Sequence, residues 1–151
     1  MELLYATNSK HPKKVVINSA LVNDPFNRYK MTQLVLEVNK GRTFFSNLDL
    51  IANELKVPPG YILHYFSVML GARSDVKKNT LSGSFAPDRI SFLVENFIRG
   101  LVLCSACELP ELDYENKIGK VIISCRSCGY VEKLDARDLP ETLKKYVINH
   151  P

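Results

Sequence analysis

A chain of 151 residues, 46% hydrophobic and 24% charged, suits one ordinary domain or a domain with a small satellite, with enough apolar material for a real core. No apolar run approaches the roughly 18–20 residues that span a bilayer, and Met1 to Lys10 lack a basic stretch followed by an apolar one, so membrane insertion and secretion are not expected and the cytosol or nucleus is. Twenty Lys and Arg against 16 acids give a net charge of +4, too mild to establish a nucleic-acid partner by itself, although the bases gather toward the N-terminal part and the acids (Glu108, Glu111, Asp113, Glu115) toward the C-terminal part.

Residues 1–22 read as a weakly structured extension with one apolar patch at Val15, Val16 and Ile17. Asp24-Pro25-Phe26-Asn27-Arg28-Tyr29-Lys30-Met31 is aromatic and basic and follows neither the helical nor the strand period. Residues 34–38 alternate as a strand with Leu34, Leu36 and Val38 on one face. The turn Asn39-Lys40-Gly41 then leads into β-prone residues 43–46, which together make a hairpin.

Asn47 is placed to cap a helix over residues 48–56 that buries Leu48, Ile51, Ala52 and Leu55. Val57-Pro58-Pro59-Gly60 stops it, and a second helix over 61–70 turns Ile62, Tyr65, Phe66 and Met69 inward. Residues 74–77 and 81–85 flank a turn at Lys78-Asn79. Pro87 opens a third helix with Ile90, Leu93, Val94, Phe97 and Ile98 inward, and Gly100 closes it. Helical spacing alone explains these apolar stripes, so they are core and not cofactor boxes. The expected fold is α+β, an antiparallel sheet with packed helices over residues 23–99, followed by a four-cysteine zinc ribbon with a C-terminal helix over 100–151.

All four cysteines fall in that last part: Cys104-Ser105-Ala106-Cys107, seventeen intervening residues, then Cys125-Arg126-Ser127-Cys128. Two C-x₂-C pairs at this spacing point to one tetrahedral zinc ion, with strands expected at 100–104, 120–124 and 130–133. Gly129, directly after Cys128, can supply the positive φ that a tight knuckle needs. Four thiolates close the coordination sphere, so the site is structural and offers no position for a hydrolytic water. Disulfides, a redox pair and an iron–sulfur cluster share the ligand count and are the competing readings. His11, His64 and His150 are scattered and not needed as ligands.

Together the motifs resemble the N-terminal part of the eukaryotic translation initiation factor 5 family. Asp24 to Met31 is similar to its D-P-F-Y-R-Y-K-M stretch, with Asn27 in place of an aromatic. Leu70-Gly71-Ala72 follows its E-L-G-A, with Met69 in place of the acid. Ser82-Gly83-Ser84 resembles its N-G-S/V loop. Asn96-Phe97-Ile98-Arg99 with Leu101-Val102-Leu103-Cys104 resembles G-F-I-K-K-F-V-L-C. The likeness is collinear over residues 15 to 151. The beta subunit of initiation factor 2 shares both parts but lacks the F-x-R-Y-K-M stretch, so Arg28 to Met31 favour initiation factor 5.

The resemblance implies a cytoplasmic, monomeric factor that stimulates GTP hydrolysis by initiation factor 2 while that factor holds initiator tRNA on the small ribosomal subunit during start-codon selection. Initiation factor 1 and other initiation factors are further partners. Such a protein is an activator acting in trans, not an enzyme itself. Arg28 matches the family's arginine finger. A planar, permanently charged fork laid against the transferring phosphoryl group is worth roughly 10³–10⁵ in rate. The alternative is that Arg28 packs on Tyr29 or pairs with a surface acid. Lys30, Lys40, Arg42 and His64 match positions that contact partners or RNA phosphates, with Arg42 and His64 standing where the family has lysine. The loop Asn39-Lys40-Gly41 is shorter than the family's glycine-rich version, which bears on its reach toward the start codon. A non-catalytic subunit like the beta chain of initiation factor 2, and a general zinc-ribbon RNA-binding protein, are the other two functions weighed. No phosphate-binding loop or nucleophile–base motif points to a self-contained enzyme.

Overall fold

A computed structural model of the chain describes residues 5–7, 12, 14–17 and 30–149. Its organising element is the hairpin of β4 (Leu34–Asn39) and β5 (Arg42–Phe45), in register from Leu36 opposite Phe45 to Asn39 opposite Arg42. Lys40 and Gly41 both take positive φ (51° and 72°), the mirror-image turn whose twist matches paired strands. β6 (Ser74–Asp75) and β7 (Thr80–Ser82) form the second hairpin, shorter than the sequence suggests because residues 76–79 all belong to the turn. With β1 (Tyr5–Thr7) they complete a five-stranded sheet in the order β1-β4-β5-β7-β6.

The stretch read as a weakly structured extension therefore contributes strands. β1 pairs with β4, in parallel, and β2 (Lys14–Val16) pairs antiparallel with β3 (Lys30–Thr32). Short strands recruited by a distant partner carry little periodicity of their own, which is why three-residue pieces escape a local reading. The sheet is otherwise antiparallel, as expected for this α+β fold.

Three helices cover the sheet: α1 (Leu48–Leu55), α2 (Pro59–Leu70) and α3 (Pro87–Phe97). The expected inward residues of α1 and α3 are buried, and Phe45, Phe66, Phe97, Leu36, Leu63 and Leu81 are among the largest fully buried side chains. Phe45 and Phe66 meet with ring centroids 5.4 Å apart, joining sheet to helix. Two residues expected inside are not: Val38 is 48% exposed at the far end of β4, and Met69 is 41% exposed in the last turn of α2. In both cases the periodicity runs past the point where there is anything to pack against.

Asn47 does stand at the N-cap of α1, but its amide does not cap the helix. Its Oδ1 accepts from the Val35 N–H (2.9 Å) and its Nδ2 donates to the Gln33 carbonyl (2.8 Å), fixing the start of β4 to the start of α1. Pro59, expected to end a helix, occupies the first turn of α2, where its missing N–H costs nothing.

The main departure lies after α3. The chain does not break at Gly100 into a strand but continues as a π-helical turn, Ile98–Val102, burying Ile98, Leu101 and Val102. The ribbon strands expected at 120–124 and 130–133 form as β9 (Lys120–Cys125) and β10 (Val131–Lys133), while the third is β8 (Leu112–Lys117) in place of 100–104, in the order β10-β9-β8. A short 3₁₀ turn (Leu134–Ala136) leads to α4 (Glu141–Asn149). Val121 and Ile123 of β9, with Leu143 and Val147 of α4, join the same buried cluster as Tyr61 and Leu101.

Candidate metal centre and basic hairpin end

Each C-x₂-C pair sits in a knuckle, and the two knuckles are near-copies. The Cys104 N–H donates to the Leu109 carbonyl (3.0 Å) and the Glu108 N–H to the Cys104 carbonyl (3.0 Å). In the second knuckle the Cys125 N–H donates to Tyr130 O (2.9 Å) and the Gly129 N–H to Cys125 O (3.0 Å). Both turns close through positive φ, 61° at Glu108 and 79° at Gly129. The expectation for Gly129 holds, and its counterpart Glu108 is the position that residue type alone does not reveal. Backbone N–H groups also point at sulfur: Ala106 to Cys104 Sγ at 3.3 Å and Cys128 to Cys125 Sγ at 3.5 Å.

The four Sγ atoms all lie within 4.8 Å of one another. The closest crossings run between knuckles, Cys104 to Cys128 and Cys107 to Cys125, each at 3.6 Å. All four are free thiols. Burial raises the Cys104 thiol, but the backbone N–H groups of Cys107 and Ala106 and the thiols of Cys128 and Cys107 outweigh it and hold the group down at about 7. Burial pushes Cys107 up to about 12. A cation bound by these sulfurs would favour their thiolate forms. The arrangement can hold one metal ion with a closed set of four soft ligands.

Two arginines that the sequence did not single out hold this centre in place. Arg126, inside the second knuckle, reaches Glu111 and Asp113, each at 2.9 Å, and its own N–H donates to the Glu111 carbonyl at 2.8 Å. Arg137 is 6% exposed and pairs with Glu132 of β10 at 2.8 Å. Its Nη1 donates to the carbonyls of Gly100 (2.8 Å) and Leu103 (3.0 Å), satisfying the end of the π-helical turn. The same Glu132 oxygen accepts from the Ser105 hydroxyl at 2.8 Å. Tyr114 adds a further tie, donating its hydroxyl to the Leu101 carbonyl, and burial raises its phenol above the ordinary value. A lone arginine between acids gives no local signal of such a role.

The expected contact residues are scattered. Arg28 lies outside the described residues, as does the rest of the aromatic stretch before Lys30. Lys30, on β3, borders a small cavity of about 150 Å³ together with Glu54, Lys56 and Glu111. Lys40 and Arg42 are exposed at the tip of the β4–β5 hairpin. There the Gly83 N–H donates to the Gly41 carbonyl (2.6 Å) and Thr43 Oγ1 to the Gly83 carbonyl (2.9 Å), so the Ser82-Gly83-Ser84 loop is tied to that tip. Arg73 donates its N–H to Ser82 Oγ, which brings a third exposed base to the same end of the sheet. His64 sits elsewhere, half-buried on α2 and stacked on Tyr146 of α4 at 4.3 Å with planes 11° apart.

Residues 19–131 match a family model described as a domain found in initiation factors 2B and 5. The chain belongs to that family. Its members include proteins similar over most of this chain: eukaryotic translation initiation factor 5 of Dictyostelium discoideum is 33% identical over 136 residues, covering 86% of this chain and 34% of its own length. The protein of the same name from Mus musculus is 35% identical over 140 residues, 86% of this chain and 32% of its own length. That from Saccharomyces cerevisiae is 29% identical over 138 residues, 85% of this chain and 33% of its own length. The chain spans about a third of the length of these family members.

Proposed function

We propose that this chain works in translation initiation as an initiation factor 5-type N-terminal domain, stimulating GTP hydrolysis by initiation factor 2 within the tRNA-bound complex on the small ribosomal subunit. The observation that carries the reading is the family match over residues 19–131, a span that includes Arg28 and both basic stretches after it. Arg28 supplies the guanidinium that meets charge developing on the γ-phosphoryl group, acting in trans. Lys30, Lys40, Arg42 and His64 contact the partner factor or RNA, with the exposed pair at the hairpin tip best placed for phosphates. The setting is cytoplasmic. Among the described residues no helix is long and apolar enough to cross a membrane.

The four cysteines hold one structural zinc ion. A tetrahedron with Zn–S bonds of about 2.3 Å has S···S edges of about 3.8 Å, and the two 3.6 Å crossings are close to that. One equivalent of zinc per chain is expected by elemental analysis; iron, or no metal after purification under reducing conditions, would reject the assignment.

The deciding experiment is single-turnover GTP hydrolysis by the ribosome-bound initiation factor 2 ternary complex, with wild type and Arg28→Ala. Acceleration by wild type, lost in Arg28→Ala with zinc content unchanged, supports the activator. A wild type that binds the complex without accelerating hydrolysis supports the second reading, a non-catalytic binding subunit, with which the family description, naming two factors, is equally compatible.

A further inference from the structure

A cleft of about 720 Å³ opens where the end of α2, the π-helical turn, the first knuckle and the segment before α4 meet. Its size falls in the roughly 300–1,000 Å³ range of ligand sites. One wall is apolar, made by Tyr65 and the exposed Met69 on successive turns of α2, and by Leu139 and Pro140 opposite. Arg137 lines the cleft. Its Nε and Nη1 are fully engaged with Glu132, Gly100 and Leu103, but its Nη2 is buried and, among the described residues, has no hydrogen-bond partner. A buried guanidinium donor left open costs free energy unless something accepts from it.

We infer that this cleft is a docking site for an extended polypeptide segment of a partner protein, with an apolar side chain on the Tyr65–Met69 wall and a backbone carbonyl accepting from Arg137 Nη2. Charge decides against a nucleic acid. Arg137 is already matched by Glu132 and Arg99 by Glu95 at 3.0 Å, and Asp138 adds a further acid to the lining, so the cleft has no surplus positive charge for a phosphate backbone. A neutral carbonyl satisfies the open donor without adding an anion beside Asp138. The Asn96 amide both donates and accepts, which suits a peptide group. Asp138 favours a basic residue next to the apolar one. This site lies apart from Lys40 and Arg42 at the hairpin tip, and the inference stands whether or not Arg28 acts on GTP.

The test uses the zinc-loaded full chain, labelled with ¹⁵N and titrated with three probes: acetyl-Ala-Leu-Lys-amide, acetyl-Ala-Leu-Glu-amide and a short oligouridylate. The lysine peptide is expected to shift Met69, Asn96 and Leu139 amide signals saturably, with the glutamate peptide several-fold weaker and the RNA silent at those positions. Met69→Glu, an exposed change that leaves the core alone, should weaken the lysine peptide about tenfold with the rest of the spectrum unchanged. Arg137→Lys should also weaken it, but that variant is informative only alongside Met69→Glu because Arg137 also holds the fold. Shifts at the cleft with RNA, no saturable shift with either peptide, or equal affinity in Met69→Glu would overturn the proposal.

Discussion

The α+β part and the ribbon are stabilised by different physics. The sheet and its three helices enclose Phe45, Phe66, Phe97, Met31 and several leucines with almost no exposure, a core of ordinary kind. The ribbon contributes Val121 and Ile123 from one face of β9, while β8 is mostly exposed and Ile118, Tyr130 and Val131 face solvent. Hydrophobic burial gives it little to stand on, and it draws on its anchorage to the helices and, on the zinc assignment proposed above, on metal–thiolate bonds. The difference teaches that one buried cluster can join a part that rests on apolar packing to a part whose folding, if the proposed zinc is bound, depends on a metal.

The largest expected effect separates them outright. Stripping the proposed zinc with a chelator should abolish hydrogen-exchange protection across Lys120–Cys125 while α1 and α2 keep theirs, since a structural zinc supplies about 10–16 kcal/mol of apparent folding free energy in small zinc-finger domains at neutral pH. Simultaneous loss in both parts would mean that they fold as one unit. Next, Phe66→Ala should cost about 3–5 kcal/mol in urea titration, because a fully buried ring against Phe45 is removed. The metal content of the native variant should not change.

Arg137→Met attacks the joint itself. It strands Glu132 and the carbonyls of Gly100 and Leu103, with an expected cost of about 3 kcal/mol by thermal unfolding. Adding Glu132→Gln should recover part of the loss, and a double-mutant cycle measures how much. The smallest effect is on pH. Burial raises the Tyr114 phenol, so the folded state holds a proton that the unfolded chain releases near pH 10. That contribution is intact below pH 10 and is lost as pH climbs toward the raised folded value, by at most about 1.4 kcal/mol per pH unit. Tyr114→Phe should flatten this alkaline slope, measured as melting temperature against pH.

Where the chain's own period meets something to pack against, its reading survives. Leu48, Ile51, Ala52 and Leu55, and the stripe from Ile90 to Ile98, are inward as their spacing requires. The cysteine cluster was legible because two short spacings and one long one leave little choice of geometry. Failure came in two physical forms. Leu101-Val102-Leu103 is an apolar run that suits a strand or a buried helical turn equally, and the π-helical turn won because Arg137 satisfies its end at the Gly100 and Leu103 carbonyls. β8 carries two acids, an amide and a lysine among its six residues, and only the strand beside it and the knuckles make it a strand. The stacking of His64 on Tyr146 has no local signal either, because it depends on a helix more than seventy residues further along the chain.

The π-helical turn between α3 and the first knuckle works as a gear tooth. Each residue of a helical turn rotates the chain by roughly a quarter of a turn, so one residue more or less in Ile98–Val102 re-aims everything that follows by about that much. Volume-conserving apolar changes at Ile98, Leu101 or Val102 can be absorbed by repacking. A single-residue deletion could not, because it would swing Cys104 and Cys107 away from Cys125 and Cys128 while leaving every ligand in the sequence. The length of these five residues therefore matters together with the apolar character of the buried Ile98, Leu101 and Val102.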